Sequence, residues 1–334
     1  MAELVFVGCY TGDAGNGTGI TTLTRSPSGA LGEIGSLPLE SPSWLVRHPS
    51  LPVLYAANET EAGGVTALTF SPSGELSVLG TAETGGAHPC HLAVTPDGRF
   101  LLCANYTGGS VAVFSLSASG ELVARTALVR HSGSGPVADR QEAAHVHMAV
   151  PSPDGSVVSA VDLGTDEIRS YTLTSSGELE PLAVSSLPPG TGPRQLVRRP
   201  GTNLAYVVGE LAGTLVTVRE TSPGAFEVVS STPSTLSPVK PNLVAHLELA
   251  DSRLYVSNRG PDCVTEFALD DAAAVADQPC GANPRHFALL DGTCYVAAQS
   301  EDAITAFTLS ASGDAELRYY PTGSPTFVLP VSLP

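Results

Sequence analysis

The stretch Ala144-His-Val-His-Met-Ala-Val-Pro-Ser-Pro-Asp-Gly155, continued by Val161-Asp-Leu-Gly-Thr-Asp-Glu167, decides how this chain is read. Two histidines stand two residues apart, an apolar run leads into a Pro-Asp-Gly turn, and a second apolar run ends on an acidic Asp-Leu-Gly segment. Looser copies of this layout recur along the sequence. One runs through Pro89-Cys-His-Leu92, Pro96-Asp-Gly98, Phe100-Leu-Leu-Cys-Ala-Asn-Tyr106, Ser110-Val-Ala-Val-Phe114 and Gly120-Glu-Leu122. Each copy is a set of four short apolar runs punctuated by Gly, Pro and Ser, which is the pattern of strands and tight turns. From Pro42 to Pro325 there are six steps of about 47 residues each, a period that fits four-stranded units arranged radially. The first copy starts late, at Phe6-Val-Gly-Cys-Tyr10, and the C-terminal Ser324-Pro-Thr-Phe-Val-Leu329 supplies its missing strand. The expected fold is therefore all-β: a seven-bladed β-propeller with four-stranded antiparallel blades, residues 1–334 forming one domain. The C-terminal strand completes the first blade and hides edges that would otherwise be open to pairing.

Composition narrows the class of partner. The net charge is −17, which argues against nucleic acid or an anionic membrane surface. Lys240 is the only lysine, so nearly all cationic side chains are arginines, the better bidentate clamps for carboxylate and phosphate. Met1-Ala2-Glu3 leads straight into Leu4-Val-Phe-Val7, which has neither the basic start nor the length of a signal peptide, and no apolar run is long enough to span a bilayer. Cys9, Cys90, Cys103, Cys263, Cys280 and Cys294 show no compact framework and sit mostly in apolar runs. They are expected as buried free thiols in a cytoplasmic protein rather than as disulfides.

Stacking the copies produces columns. At the innermost-strand position stand Trp44, His91, His147, Gln195, His246, His286 and Phe327, and one residue earlier Ser43, Cys90, Val146, Arg194, Ala245, Arg285 and Thr326. At the end of the second strand stand Tyr10, Glu59, Tyr106, Leu163, Glu210, Arg259 and Gln299. In a propeller such columns ring the central channel. The four histidines in one column read either as blade-to-blade hydrogen bonds without chemistry or as site residues, His147 beside His145 and the Arg140 loop above all. Arg194, Arg259 and Arg285 around one channel are costly to bury unless anions pair with them. Glu59 and Glu210 are the bland compensation; a small anionic ligand is the functional one. The step from Pro89 to Val146 is ten residues longer than the period. The surplus, around Arg130–Glu142, is either an ordinary surface insertion or a functional loop, and Arg140 and Gln141 adjoining the His-x-His speak for the second. No nucleophile elbow, P-loop, dinucleotide fingerprint or His-Glu-x-x-His is present. His88, Cys90, His91, His145 and His147 lack a carboxylate at ligand spacing, so no metal and no cofactor are expected.

With these columns laid out, the chain resembles the lactonase family of seven-bladed propellers, which includes cycloisomerase-type bacterial 6-phosphogluconolactonases and carboxymuconate cyclases. The resemblance rests on Val7-Gly-Cys-Tyr-Thr11, His88-Pro-Cys-His-Leu-Ala-Val94, Ala104-Asn-Tyr-Thr-Gly-Gly-Ser-Val111 and Arg140-Gln141 followed by His145-Val-His147. It continues in Asp162-Leu-Gly-Thr-Asp166, Gly192-Pro-Arg194, Gly209-Glu-Leu211, Ser257-Asn-Arg-Gly260 and Asn283-Pro-Arg-His286. Two departures are Ala245-His246, where the family usually carries an acidic residue, and Gly201-Thr-Asn in place of an Asp-Gly turn. The resemblance implies a hydrolase that opens a sugar lactone, 6-phospho-D-glucono-1,5-lactone first of all, to the acid in the pentose phosphate pathway. It carries the family's active residues onto His147, Arg194, Glu210 and Arg259. Either Glu210 or His147 would serve as the base, and the arginines would stabilise the oxyanion. His91, Asn105, Arg140, His145, Arg285 and His286 are the candidate substrate contacts. The expected partner is a small anionic sugar lactone met by a monomer. The alternatives are a muconate-type lactonising enzyme, which closes a ring instead of opening it, and a non-catalytic binding scaffold.

Overall fold

The computed structural model describes residues 3–237, 239–250, 252–309 and 316–332. Strands of four to nine residues fill it, gathered into seven four-stranded antiparallel sheets. Six of the sheets run in plain sequence order, as in Val146–Pro151, Val157–Asp162, Glu167–Leu173 and Leu179–Ser186. The seventh takes its innermost strand from the far end of the chain: Pro325–Ser332 pairs antiparallel with Glu3–Cys9, from Glu3 opposite Ser332 to Cys9 opposite Pro325. The expected closure is therefore the one observed. Asp302 and Ser324 latch it from the seventh blade onto Asn16, whose side-chain amide donates to Asp302 Oδ2 at 2.8 Å.

The alternation of the sequence explains how blades hold one another. Inner and middle strands are buried on both faces, so they read as continuous apolar runs, whereas outermost strands such as Leu122–Arg130 are largely exposed. Each blade-to-blade interface is one apolar cluster. Between the third and fourth blades Phe100, Leu102, Val111 and Val113 meet Val146, Val158, Ala160 and Tyr171. Burying each such side chain is worth about 1.5–3 kcal/mol, and seven such clusters close the ring. Gly155 of the Pro-Asp-Gly turn sits at φ +77°, where a Cβ would be strained. All six cysteines are buried and unpaired.

One feature of the register matters more than the rest. Every innermost strand carries an extra residue near its start: Pro42 pairs with Asn58 and Trp44 with Ala57, leaving Ser43 between them unpaired. The same shift occurs at Pro89/His91, Val146/Met148, Pro193/Gln195, Val244/Leu247, Pro284/His286 and at Gly8/Cys9 opposite the last strand. These are β-bulges, which re-aim a side chain out of the alternating pattern. They correct the column read from sequence. His147 is the bulge residue of its blade and belongs with Cys90, Arg194 and Arg285, while Met148 takes the place beside His91, His246 and His286.

Candidate active site

The bulge residues and the residues ending the second strands meet at one mouth of the channel. Glu210 follows the strand Leu204–Gly209 and is 2 % exposed, yet it is surrounded by cations. Its Oε2 accepts from Arg194 Nη1 at 2.8 Å and lies 2.9 Å from Arg259 Nη2, and its Oε1 accepts from Arg140 Nη2 at 2.7 Å. Arg194 comes from the bulge of the fifth blade, Arg259 from the end of Arg253–Arg259, and Arg140 from the long excursion after Leu122–Arg130. Burial alone would raise the Glu210 carboxyl, but Arg259, Arg194, His147 and Arg140 hold it well below the usual carboxylate range. Glu210 is thus an anion at every physiological pH.

The arginines are held by backbone as well as by charge. Arg194 Nε donates to the Ala245 carbonyl at 2.7 Å and Arg259 Nε to the Leu243 carbonyl at 2.9 Å. Ala245 thus meets Arg194 through its backbone carbonyl. Burial, with Arg194 and Arg285 nearby, pulls Arg259 down to about 9, still protonated at neutral pH. Its Nη2 is near Glu210 but not aligned with it, and this buried nitrogen has no hydrogen-bond acceptor at all. An unsatisfied buried cationic donor is costly, and an incoming oxyanion would satisfy it.

His147 completes this side. Its Nε2 accepts from Arg194 Nη1, and its Nδ1 faces the Cys90 thiol at 3.7 Å. Burial first and Arg194 second hold it well below the ordinary histidine range, so the ring is neutral and Nδ1 carries the proton. The Cys90 thiol is pushed well above its usual value by burial and stays protonated.

On the other side of the mouth Arg285 Nη2 donates to Tyr10 Oη at 2.7 Å, Tyr10 donates to Glu59 Oε1 at 2.9 Å, and the guanidinium stands 4.9 Å above the tyrosine ring. Tyr10, Glu59, Tyr106 and Cys90 were visible in the sequence columns but were not singled out as site residues. Their membership of those columns was the signal. Four arginines face two glutamates here, a local surplus of two positive charges in a chain of net charge −17.

The remaining candidates lie elsewhere. Asn105 is fully buried and donates to Ser110 Oγ, a contact inside its own blade. His145 stacks on Tyr106 at 4.6 Å and bonds Glu142, beside the cluster rather than in it. His91 and His286 join Trp44, His246 and Phe327 in a layer of rings below the mouth. Trp44, from the second blade, lies 4.4 Å from both His91 and Phe327, 5.5 Å from His286 and 6.4 Å from His246 in the sixth. One indole therefore bridges the axis and the channel is stopped at mid-height. Burial holds His91 and His246 down to about 3 and His286 well below its usual value, so the layer is uncharged. A cavity of about 370 Å³ opens beyond the layer, on the far face, lined by Trp44, Met148, Gln195, His246, Leu247 and Pro96 among others. It contains none of the mouth's arginines.

Residues 4–330 match the model of the lactonase family, described as a seven-bladed β-propeller. A 6-phosphogluconolactonase of Bacillus subtilis is 35% identical over 190 residues, a stretch that spans 55% of this chain and 54%, about half, of that relative's length. A 6-phosphogluconolactonase of Formosa agariphila is 27% identical over 313 residues, 85% of this chain and 86% of the relative. Among solved structures, a periplasmic gluconolactonase of Pseudomonas aeruginosa superposes with a TM-score of 0.91 at 29% identity, covering 100% of both chains.

Proposed function

Because this chain belongs to the lactonase family of seven-bladed β-propellers, we propose that it hydrolyses a sugar lactone, with 6-phospho-D-glucono-1,5-lactone the leading substrate. The observation that carries the reading is the cationic mouth around Glu210. An arginine surplus of two suits a phosphate dianion, and relatives named for the phosphorylated lactone point the same way.

Lone-pair accounting favours Glu210 as the base. The single lone pair of neutral His147 is taken by Arg194, while Glu210 Oε1 receives only Arg140 and retains one acceptor site. Water held at Oε1 gives its proton to the carboxylate as its oxygen adds to the lactone carbonyl. The oxyanion forms against Arg259 Nη2, which otherwise has no acceptor. Collapse of the tetrahedral species breaks the bond from carbonyl carbon to ring oxygen, and Glu210 returns the proton to the departing alkoxide. The new carboxylic acid then releases a proton to solvent. A base held well below the carboxylate range is weak, which suits a substrate as reactive as an aldonolactone.

The test is proton release on adding fresh 6-phosphogluconolactone, with the spontaneous rate subtracted, for the wild type and Arg194→Ala. Acceleration that the substitution abolishes supports the reading. A wild type no faster than background would sink it for this substrate.

A further inference from the structure

The excursion between the third and fourth blades has a more specific role than a surface loop. Ser132, Gly133, Ser134, Pro136, Ala138 and Asp139 are exposed, yet Arg140 at its end lands on Glu210 at 2.7 Å and on Tyr106 Oη at 3.2 Å. Glu210 and Tyr106 belong to the fifth and third blades, so this loop reaches across the intervening one. Its accuracy comes from buried fastenings. Asp162, fully buried, accepts from His131 Nδ1 at 2.7 Å with Oδ2 and from the His145 backbone N–H at 2.8 Å with Oδ1. One carboxylate thus ties the two ends of the loop together. Tyr171 Oη meets the other His131 nitrogen at 2.9 Å and Gly164 N–H adds a third donor to Asp162. A Cβ at Gly164 would collide with the Ala143 carbonyl, so the loop's return requires glycine there. In the middle, Gln141 is fully buried, donating to the Leu163 carbonyl at 2.8 Å and accepting from Val137 N–H at 3.1 Å.

The arginine delivered in this way differs from its neighbours. The Arg140 side chain is 34% exposed, against 7% for Arg194 and 9% for Arg259. Its Nη2 makes both contacts, and among the described residues Nε and Nη1 make no hydrogen bond. Guanidinium nitrogens left without a protein acceptor on a half-exposed arginine can still donate charge-assisted hydrogen bonds to the oxygens of a phosphate. If the lactone carbonyl sits against the deep Arg259, the far end of the sugar comes up to the rim.

We propose that Arg140 is the specificity-determining residue that selects lactones bearing a distal phosphate over unphosphorylated ones, and that Asp162 is the positioning residue that holds it there. This rests on the lactonase reading above, and the test separates the two. Specificity is the ratio of kcat/KM for 6-phosphogluconolactone to kcat/KM for glucono-1,5-lactone, measured in the wild type, Arg140→Met, Asp162→Asn and Gln141→Ala. In parallel, calorimetry gives the Kd of the two product acids, 6-phosphogluconate and gluconate, with no turnover needed.

Arg140→Met is expected to lower the ratio about ten- to hundredfold, the loss of charge-assisted hydrogen bonds, almost wholly through KM for the phosphorylated lactone. Asp162→Asn and Gln141→Ala lower the ratio in the same direction, and Gln141→Ala provides the measurement should Asp162→Asn fail to fold. The phosphorylated acid should lose its binding advantage in step. An Arg140→Met enzyme that slows on both lactones equally overturns the proposal, as does a ratio left at its wild-type value by both positioning variants. A wild type that hydrolyses neither lactone but prefers the phosphorylated acid, with Arg140→Met erasing the preference, sinks the lactonase reading and leaves the selectivity standing.

Discussion

Replacing His91 by phenylalanine should flatten the protein's loss of stability in mild acid. His91 is 3% exposed, its Nδ1 has no partner, and burial with Arg194 nearby holds it down to about 3 from an ordinary 6.5. Above pH 6.5 the ring is neutral in both the folded and the unfolded chain. Below that value the unfolded chain takes up a proton and the folded one does not, so stability falls with pH until the folded value near 3 is reached. Between pH 7 and pH 5 the loss integrates to about 2 kcal/mol for this one residue. His147 and His286 act in the same direction, and the total to be eroded is about 5–15 kcal/mol. Glu210 does not contribute in this window, because a depressed carboxylate loses its stabilisation only below the ordinary carboxylate range. Glu248 opposes the trend: burial raises it to about 7, so the folded protein gains a proton there as pH drops and is stabilised. The decisive quantity is therefore a double difference. Urea unfolding at pH 7 and pH 5, for wild type and His91→Phe, should give a pH-dependent loss smaller by about 2 kcal/mol in the variant. Phenylalanine also removes an unpartnered buried polar atom, so little stability should be lost at pH 7. Equal losses in the two proteins would refute the reasoning.

Other consequences are open to direct measurement. Glu210→Gln leaves three arginines without their shared carboxylate and should cost about 3–5 kcal/mol in a denaturant titration, as well as abolishing turnover. With Glu210 as base, kcat/KM should hold down to pH 4.5, the folded fraction being checked at each point; because His147 is also held well below its ordinary range, an acid limb near 6.5 would refute the site electrostatics for either base. Tyr10→Phe breaks the bridge between Arg285 and Glu59 and should raise KM about five- to tenfold with kcat little changed, read from initial rates. Truncation before Pro325 bares the whole edge of Glu3–Cys9, and size-exclusion chromatography should show aggregate in place of the closed ring.

The fold was legible because a propeller writes itself into the sequence many times. The 47-residue period, the Val-x-x-Phe third strands and the late start repaired by Ser324–Leu329 each point to the same ring. The site was legible in part. Arg194, Glu210 and Arg259 stand out because buried charge demands partners, and all three meet. His147 was placed in the wrong column because the fourth copy has Val146 where Pro42, Pro89, Pro193 and Pro284 stand in others, so it was stacked one residue out of register; the pairing of Val146 with Asp162 and Met148 with Val161 makes His147 the bulge residue. A bulge leaves no local signature in residues as different as Ser43, Arg194 and Thr326. Asn105 was a candidate substrate contact through the resemblance, which includes Ala104-Asn-Tyr-Thr; in the fold its amide donates to Ser110 on the adjoining strand of its own blade. Tyr10 and Glu59 are ordinary types at ordinary strand ends, and only Arg285 in contact gives them meaning.

The layer of rings beneath the mouth turns the channel into a blind well, with consequences for traffic. Substrate and product must share a single opening, because the Trp44 indole bars the route to the far face. In the proposed reaction, opening the lactone adds one negative charge to the ligand, and the surplus of positive charge at the lip should hold that product more firmly than the molecule that entered. Under the proposed hydrolysis, departure of the acid, not ring opening, should set the pace at low ionic strength. Added salt, which weakens a charge-based grip, would speed the cycle until it also began to weaken capture.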